Sequence, residues 1–220
     1  MKKIAIILFL TISLLFSFAS LASAELLFGV TAETGSLDFS TTYKGAYTAI
    51  PNVSETPNML TVTGDFNLFL LHIGLEYGTA DVGHGSTFTT GTVKAGWEFG
   101  LPILKAQLYG GYQMYGLTHG SQITLGDSAY GSLIAGLGVE SSIADFTFYG
   151  NTYFPLWTKY SDGISANDDD HADLSYLKVG VSYAPIPFVD LFVDYRKMEA
   201  ESKVMKLDAD GYSFGVKLSF

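Results

Sequence analysis

From Glu25 onward, apolar residues recur at every second position rather than on a helical period. Lys94-Ala95-Gly96-Trp97-Glu98-Phe99, Lys105-Ala106-Gln107-Leu108-Tyr109 and Lys178-Val179-Gly180-Val181-Ser182-Tyr183 carry the pattern most plainly. A strand with two unlike faces produces it, because successive side chains point to opposite sides of a sheet. Ten segments are read this way, at about 25–38, 58–65, 67–78, 88–99, 103–115, 128–140, 145–157, 173–184, 188–198 and 210–220. Tight turns are expected near Asp65-Phe66, Gly100-Leu101-Pro102, Ser141-Ser142-Ile143-Ala144 and Pro185-Ile186-Pro187. Longer polar connections fall at about 39–57, 79–87, 116–127, 158–172 and 199–209. Strict alternation of short and long connections predicts an antiparallel up-and-down meander, with turns at one end and loops at the other. Ala95-Gly96-Trp97, Ala135-Gly136-Leu137 and Val179-Gly180-Val181 recur at spacings of 40 and 44 residues, about one double hairpin. The fold class expected is all-β, an up-and-down transmembrane β-barrel of ten strands. Eight strands is the alternative, since Gly35 and Gly64 interrupt the first hairpin.

One face of these strands suits lipid. It holds Phe69, Leu71, Ile73, Leu75 and Tyr77, then Val93, Ala95, Trp97 and Phe99. Later strands add Leu133, Ala135, Leu137 and Val139; Leu177, Val179, Val181 and Tyr183; and Val189, Leu191, Val193 and Tyr195. Aromatics stand at the row ends. Phe69 and Tyr77 are eight residues apart, roughly 19 Å along the membrane normal at ~3.3 Å per residue and a tilt near 45°.

The opposite face carries Glu33, His72, Glu76, Lys94, Glu98, Lys105 and Gln107, followed by Glu140, Asn151, Lys178, Asp190, Asp194, Arg196 and Lys217. Tyr109, Tyr149, Tyr153 and Phe192 share it and favour constriction. Charges of both signs inside a narrow barrel predict pairing and a plugged lumen, because an unpartnered buried charge is costly. A narrow porin-like passive channel for small solutes is the alternative. A soluble lipocalin-like barrel would give the same alternation with its apolar face inward; the aromatic row ends argue against it.

The N-terminus reads as an address. Lys2 and Lys3 precede an apolar stretch from Ile4 to Phe18, and Ala22-Ser23-Ala24 supplies the small residues of a cleavage site. Residues 1–24 are therefore expected to be a signal peptide for Sec-type export, cleaved after Ala24, with 25–220 forming the barrel domain. No later run approaches the ~18 apolar residues of a transmembrane helix. The chain has no Cys, which excludes a disulfide scaffold or a thiolate metal site. Its 12 basic against 22 acidic residues lack the positive footprint of a nucleic-acid partner.

The last strand alternates Tyr212, Phe214, Val216, Leu218 and Phe220, and the sequence stops on that aromatic residue. With Ser213, Gly215, Leu218 and Phe220 in matching places, it resembles the C-terminal assembly signal of bacterial outer-membrane barrels. Together with the strand pattern, this makes the chain similar in architecture to small barrels of the OmpA, OmpX and OmpW sort. The resemblance implies residence in the bacterial outer membrane, contact with its lipid and lipopolysaccharide, and insertion by the barrel-assembly machinery. A monomer is expected.

Chemistry in the loops is sparse. His84-Gly85-Ser86 and His119-Gly120-Ser121 lie in two long loops, with Asp81 or Asp127 as conceivable orienting acids. A nucleophile needs a base, an acid and an oxyanion hole in one place. Nothing in the sequence assembles them, so neither a lipid-modifying enzyme nor any other enzyme is expected. Asn167-Asp168-Asp169-Asp170-His171 is an acidic run without the ligand spacing of a calcium loop. No cofactor or metal is expected. In loop 39–57, Tyr43, Tyr47 and Ile50 offer either a binding surface or a cover over the barrel mouth.

Overall fold

The computed structural model describes residues 28–48, 50, 52–68, 71–101, 103–119, 127–162, 169 and 171–220. The expected signal peptide, Phe69 and most of the acidic run lie outside them. Ten long strands form one antiparallel sheet: β1 (Phe28–Tyr43), β3 (Asn58–Leu68), β4 (Leu71–Asp81), β5 (Thr87–Leu101), β6 (Leu104–Thr118), β7 (Ser128–Ile143), β8 (Phe146–Ser161), β9 (Asp173–Ile186), β10 (Val189–Glu201) and β11 (Met205–Ser219). A two-residue strand, β2 (Ser54–Glu55), folds back onto β1. Each long strand pairs with its neighbours in sequence, and β11 pairs with β1 along fifteen residues, closing the barrel. That pairing makes the sheet continuous around the barrel, which is the condition for crossing lipid with strands.

The strands run further than the alternation alone indicated. No turn falls near Asp65-Phe66, where one was expected: β3 stays paired with β4 as far as Leu68 and Leu71. Asp65 and Asn67 stay in phase with the lumen-facing side of β3, so the strand continues through them. The expected connections near 100–102, 141–144 and 185–187 fall between the paired Leu101 and Leu104, Ile143 and Phe146, and Ile186 and Val189. Ala144 and Phe188 adopt positive φ there, 54° and 73°, as tight hairpin turns require even without glycine. Pro155 lies where β8 bulges against β7, and the extra residue, Leu156, points outward.

The two faces exchange character along each strand. Near the turns, β10 and β11 point Leu191, Val193, Phe214, Val216 and Leu218 outward, each at least 39% exposed. Asp190, Asp194, Ser213 and Lys217 point inward from the same strands. Beyond Tyr195 and Tyr212, whose rings meet at 5.3 Å, the sense reverses. Lys197, Glu199, Glu201, Lys206 and Asp208 now face outward, while Met198, Ala200, Met205, Leu207 and Ala209 are buried inside. The reversal marks the membrane boundary, because water replaces lipid outside and the interior no longer has to be the polar side. Tyr77, Tyr112 and Trp157 stand outward near this level; Phe28, Phe99, Phe146, Tyr183 and Phe188 stand near the turns. From Tyr212 to Phe220, the apolar band spans roughly 19 Å at ~3.3 Å per residue and 45° tilt. Of the predicted lipid row on β4, Ile73, Leu75 and Tyr77 face outward and Leu71 is half-buried.

Above the boundary the lumen is a packed core. Phe39, Phe88 and Tyr115 form one chain of rings, with centroids 5.0 and 6.1 Å apart, and Tyr130 packs on Tyr160 at 4.9 Å. Leu174, Met198, Met205 and Leu207 fill the space between them. Tyr130 OH donates to Met205 O (2.6 Å) and Tyr115 OH to Ser175 O (3.1 Å), so the phenols are not stranded. Each such side chain contributes about 1.5–3 kcal/mol of burial. Tyr43 is buried, and Tyr47 and Ile50 lie against the same core, covering the mouth.

Candidate functional site in the barrel lumen

Four charged side chains lie just below this core. Arg196 from β10 pairs with Glu33 from β1, and its Nη1 donates to Thr61 Oγ1 on β3 at 3.1 Å. Lys178 from β9 lies 2.9 Å from Glu33 Oε2 and 3.1 Å from Asp194 Oδ2. Ser213 Oγ donates to Asp194 Oδ1 at 2.5 Å, and Tyr149 OH donates to Asp194 Oδ2 at 3.1 Å. Two acids and two bases thus form a neutral cluster drawing on β1, β3, β8, β9, β10 and β11. Glu33, Asp194 and Arg196 side chains are at most 2% exposed. Burial of four charges is tolerable only because each is paired, with Asp194 further held by Ser213 and Tyr149 and Arg196 by Thr61.

Below the cluster opens a polar cavity of about 250 Å³ on the turn side. His72 lies 3.3 Å from Asp65 Oδ1, and its other ring nitrogen faces Asn67 Oδ1 at 2.7 Å. Glu98 pairs with Lys105 at 3.2 Å and accepts from Gln107 Nε2 at 2.8 Å. Lys94 Nζ sits 5.0 Å over the Tyr109 ring, whose hydroxyl donates to Asn151 at 3.1 Å. Glu76, Glu140, Asp190 and Lys217 line the same cavity. The wall is shaped by missing side chains: a Cβ at Gly136 would collide with the Tyr109 ring, and one at Gly180 would crowd Tyr149 and Asp194. Among the described residues, no group of three or more His, Asp or Glu is placed to hold a metal ion.

All twelve charged positions read from the sequence as lumenal therefore sit inside the barrel, four in the cluster and eight around the cavity. The reading missed Asp65, which it placed in a turn, and Thr61 and Tyr176. Their signal was phase: each continues the every-second-residue inner row of its strand. Of the C-terminal residues, Ser213 serves the ion cluster and Gly215 gives room beside Phe192 and Glu33. Leu218 faces outward, and Phe220 exchanges two backbone hydrogen bonds with Phe28, at 2.8 and 3.2 Å, at the closing seam.

The loop candidates are spread apart. His84 is exposed at the tip of the β4–β5 turn with φ 52°, whereas Ser86 is buried. His119 Nε2 meets Tyr43 OH at 2.9 Å, and its backbone N–H donates to Asp127 at 3.2 Å. Ser121 lies outside the described residues. Of the acidic run, Asp169 accepts from the backbone N–H of Lys203 (2.9 Å) and of His171 (3.0 Å). That carboxylate pins one loop to the next. Asn167, Asp168 and Asp170 lie outside the described residues.

The outer membrane protease OmpT from Escherichia coli has a similar structure, with a TM-score of 0.65 at 10% identity, covering 88% of this chain and 97% of that one. The fold is that of a bacterial outer-membrane β-barrel. Neisserial surface protein A (NspA) matches with a TM-score of 0.45 at 14% identity, over 88% of this chain and 97% of its own. The NanC porin matches with a TM-score of 0.42 at 14% identity, over 87% and 100%. No protein-family model and no curated protein sequence matches this chain.

Proposed function

We propose that this protein is a monomeric integral barrel of the bacterial outer membrane, closed to solute passage, with a structural or surface-presenting role. The observation that carries the reading is the neutral Glu33–Arg196–Asp194–Lys178 cluster lying beneath an aromatic core. Ions crossing the lumen would have to displace paired, desolvated charges and then penetrate tightly packed rings. The apolar outer band meets lipid, and the charged belt above it, Lys197 to Asp208, stands at the level of lipopolysaccharide headgroups. Export through a cleaved signal peptide and recognition of the C-terminal strand by the insertion machinery complete the route. The reading assigns no catalytic role: His84 and His119 are carried by different loops, and His119 is engaged by Tyr43.

Liposome swelling tests the proposal. Vesicles carrying the refolded barrel should swell in an isotonic pentose solution no faster than protein-free vesicles. Swelling that rises with protein content and falls with solute size would replace the closed barrel with a narrow passive channel.

A further inference from the structure

Glu76 is the anomaly of the lumen. Its carboxylate lines the turn-side cavity yet makes no hydrogen bond or ion pair with a described residue. The Lys178 ammonium at the same cavity is already bonded to Glu33 and Asp194. Polar atoms beside it share the deficit. Tyr176 OH, Thr92 Oγ1 and Gln113 Oε1 are buried and have no hydrogen-bond partner, and Tyr176 lines the cavity. Thr92 stands opposite Glu76 across β4 and β5, and Gln113 stands opposite Thr92 across β5 and β6. Glu76, Thr92 and Gln113 therefore form one row along the inner wall, at about 5 Å intervals.

The remaining wall favours a cation. Five carboxylates, Asp65, Glu76, Glu98, Glu140 and Asp190, face three lysines, Lys94, Lys105 and Lys217. Carboxylates therefore outnumber ammonium groups by two around the cavity, and the cluster above it adds no net charge. Aromatic faces stand close by. Tyr153 stacks on Tyr176 at 4.5 Å and meets Tyr109 edge-on at 5.6 Å. Tyr109 already receives one ammonium, that of Lys94. A carboxylate among tyrosine rings is the arrangement that attracts an organic cation.

We propose that the turn-side cavity binds a small protonated primary amine, its ammonium held by Glu76 and the Tyr176 hydroxyl, its carbon chain against the tyrosine rings. N–H donors suit the Glu76 carboxylate and the orphaned Tyr176 oxygen, which would otherwise stay unsatisfied. A quaternary ammonium has no N–H to give them. The cavity is smaller than the ~300–1,000 Å³ of sites for drug-sized ligands, so the amine is small. The site lies below the ion cluster and does not depend on the barrel being sealed.

Isothermal titration of the refolded protein in detergent with ethylammonium chloride tests the site at constant ionic strength. Saturable one-site binding is expected, with a change in the tyrosine near-ultraviolet circular dichroism. Glu76→Gln should weaken it about tenfold or more, and Tyr176→Phe by a smaller factor. Tetramethylammonium should bind about tenfold more weakly, and sodium should not displace the amine. Absence of saturable heat, unchanged binding in Glu76→Gln, or displacement by sodium one for one would overturn the proposal. Should Glu76→Gln fail to fold, Tyr176→Phe decides: unchanged affinity in that variant refutes the site. Because binding is read without any flux measurement, a conducting barrel would refute the closed-lumen reading and leave this one standing.

Discussion

Glu33 and Arg196 offer a double-mutant cycle whose outcome depends on whether the cluster is dry. Glu33→Leu leaves Arg196 with Asp194 as its only carboxylate, at 3.8 Å, while Lys178 keeps Asp194 at 3.1 Å. One carboxylate then faces two cations in a layer where the Arg196 side chain is 2% exposed. Removing one partner of such a buried pair costs about 3–5 kcal/mol. Arg196→Met removes a cation but leaves Lys178 bonded to both acids, so its cost belongs at the lower end, about 3 kcal/mol. The double variant retains the neutral Asp194–Lys178 pair, with Ser213 and Tyr149 still on Asp194. Apolar replacement of a whole buried pair is near neutral, so it should cost no more than about 1 kcal/mol. Equilibrium unfolding of the refolded barrel in urea, followed by fluorescence of the outward-facing Trp97 and Trp157, reads all three values. A coupling energy of several kcal/mol is expected. Single variants within about 1 kcal/mol of wild type, adding simply in the double, would mean a water-filled lumen and would refute the reasoning.

Three further outcomes follow from the same structure. Leu137 faces outward midway along the apolar stretch of β7, so Leu137→Arg should cost about 2–4 kcal/mol in bilayer unfolding, whereas Lys197→Ala, above the boundary, should stay within about 0.5 kcal/mol. Deleting Phe220 removes two seam hydrogen bonds and the terminal aromatic, and should slow assembly in a time-resolved insertion assay; unchanged kinetics would remove the C-terminal strand from the assembly argument. Burial pushes Tyr160 up to about 12 from an ordinary value near 10, and it also holds the Tyr43 and Tyr130 phenols up. The stability these phenols lend is complete below about pH 10 and is lost as pH rises through the folded values. Absorbance titration should therefore show part of the tyrosine signal appearing only as the barrel opens; full ionisation of the folded barrel near pH 11 would contradict the packed outer core.

The sequence was most legible where lipid imposes a binary rule. On β5 and β10, Val93, Trp97, Leu191 and Val193 had to be outward, and that fixed Lys94, Glu98, Asp190 and Asp194 inward. It was least legible above the boundary. There Lys197 and Glu199 alternate with Met198 and Ala200 as cleanly as before, but in the opposite sense. A reading anchored to apolar-outward therefore cut β1, β4, β6, β8, β10 and β11 short at their outer ends and left the apolar inner core unseen. Asp65 misled for a local reason: Gly64-Asp65 carries turn chemistry, which outweighed the inward phase that Asp65 shares with Asn67 on the continuing strand. Which charges pair was beyond local reading. Lys178 and Glu33 are 145 residues apart, and they meet only because β9 and β1 face each other across a closed lumen.

The most direct test of a closed lumen is single-channel recording of the refolded protein in a planar lipid bilayer, with insertion verified independently. The wild type should be silent, and Glu33→Leu, which leaves the cluster unbalanced, should show at most brief openings. Discrete, reproducible current steps from the wild type would show that Lys178, Asp194 and their partners line a water path, and the account of a sealed barrel would be wrong.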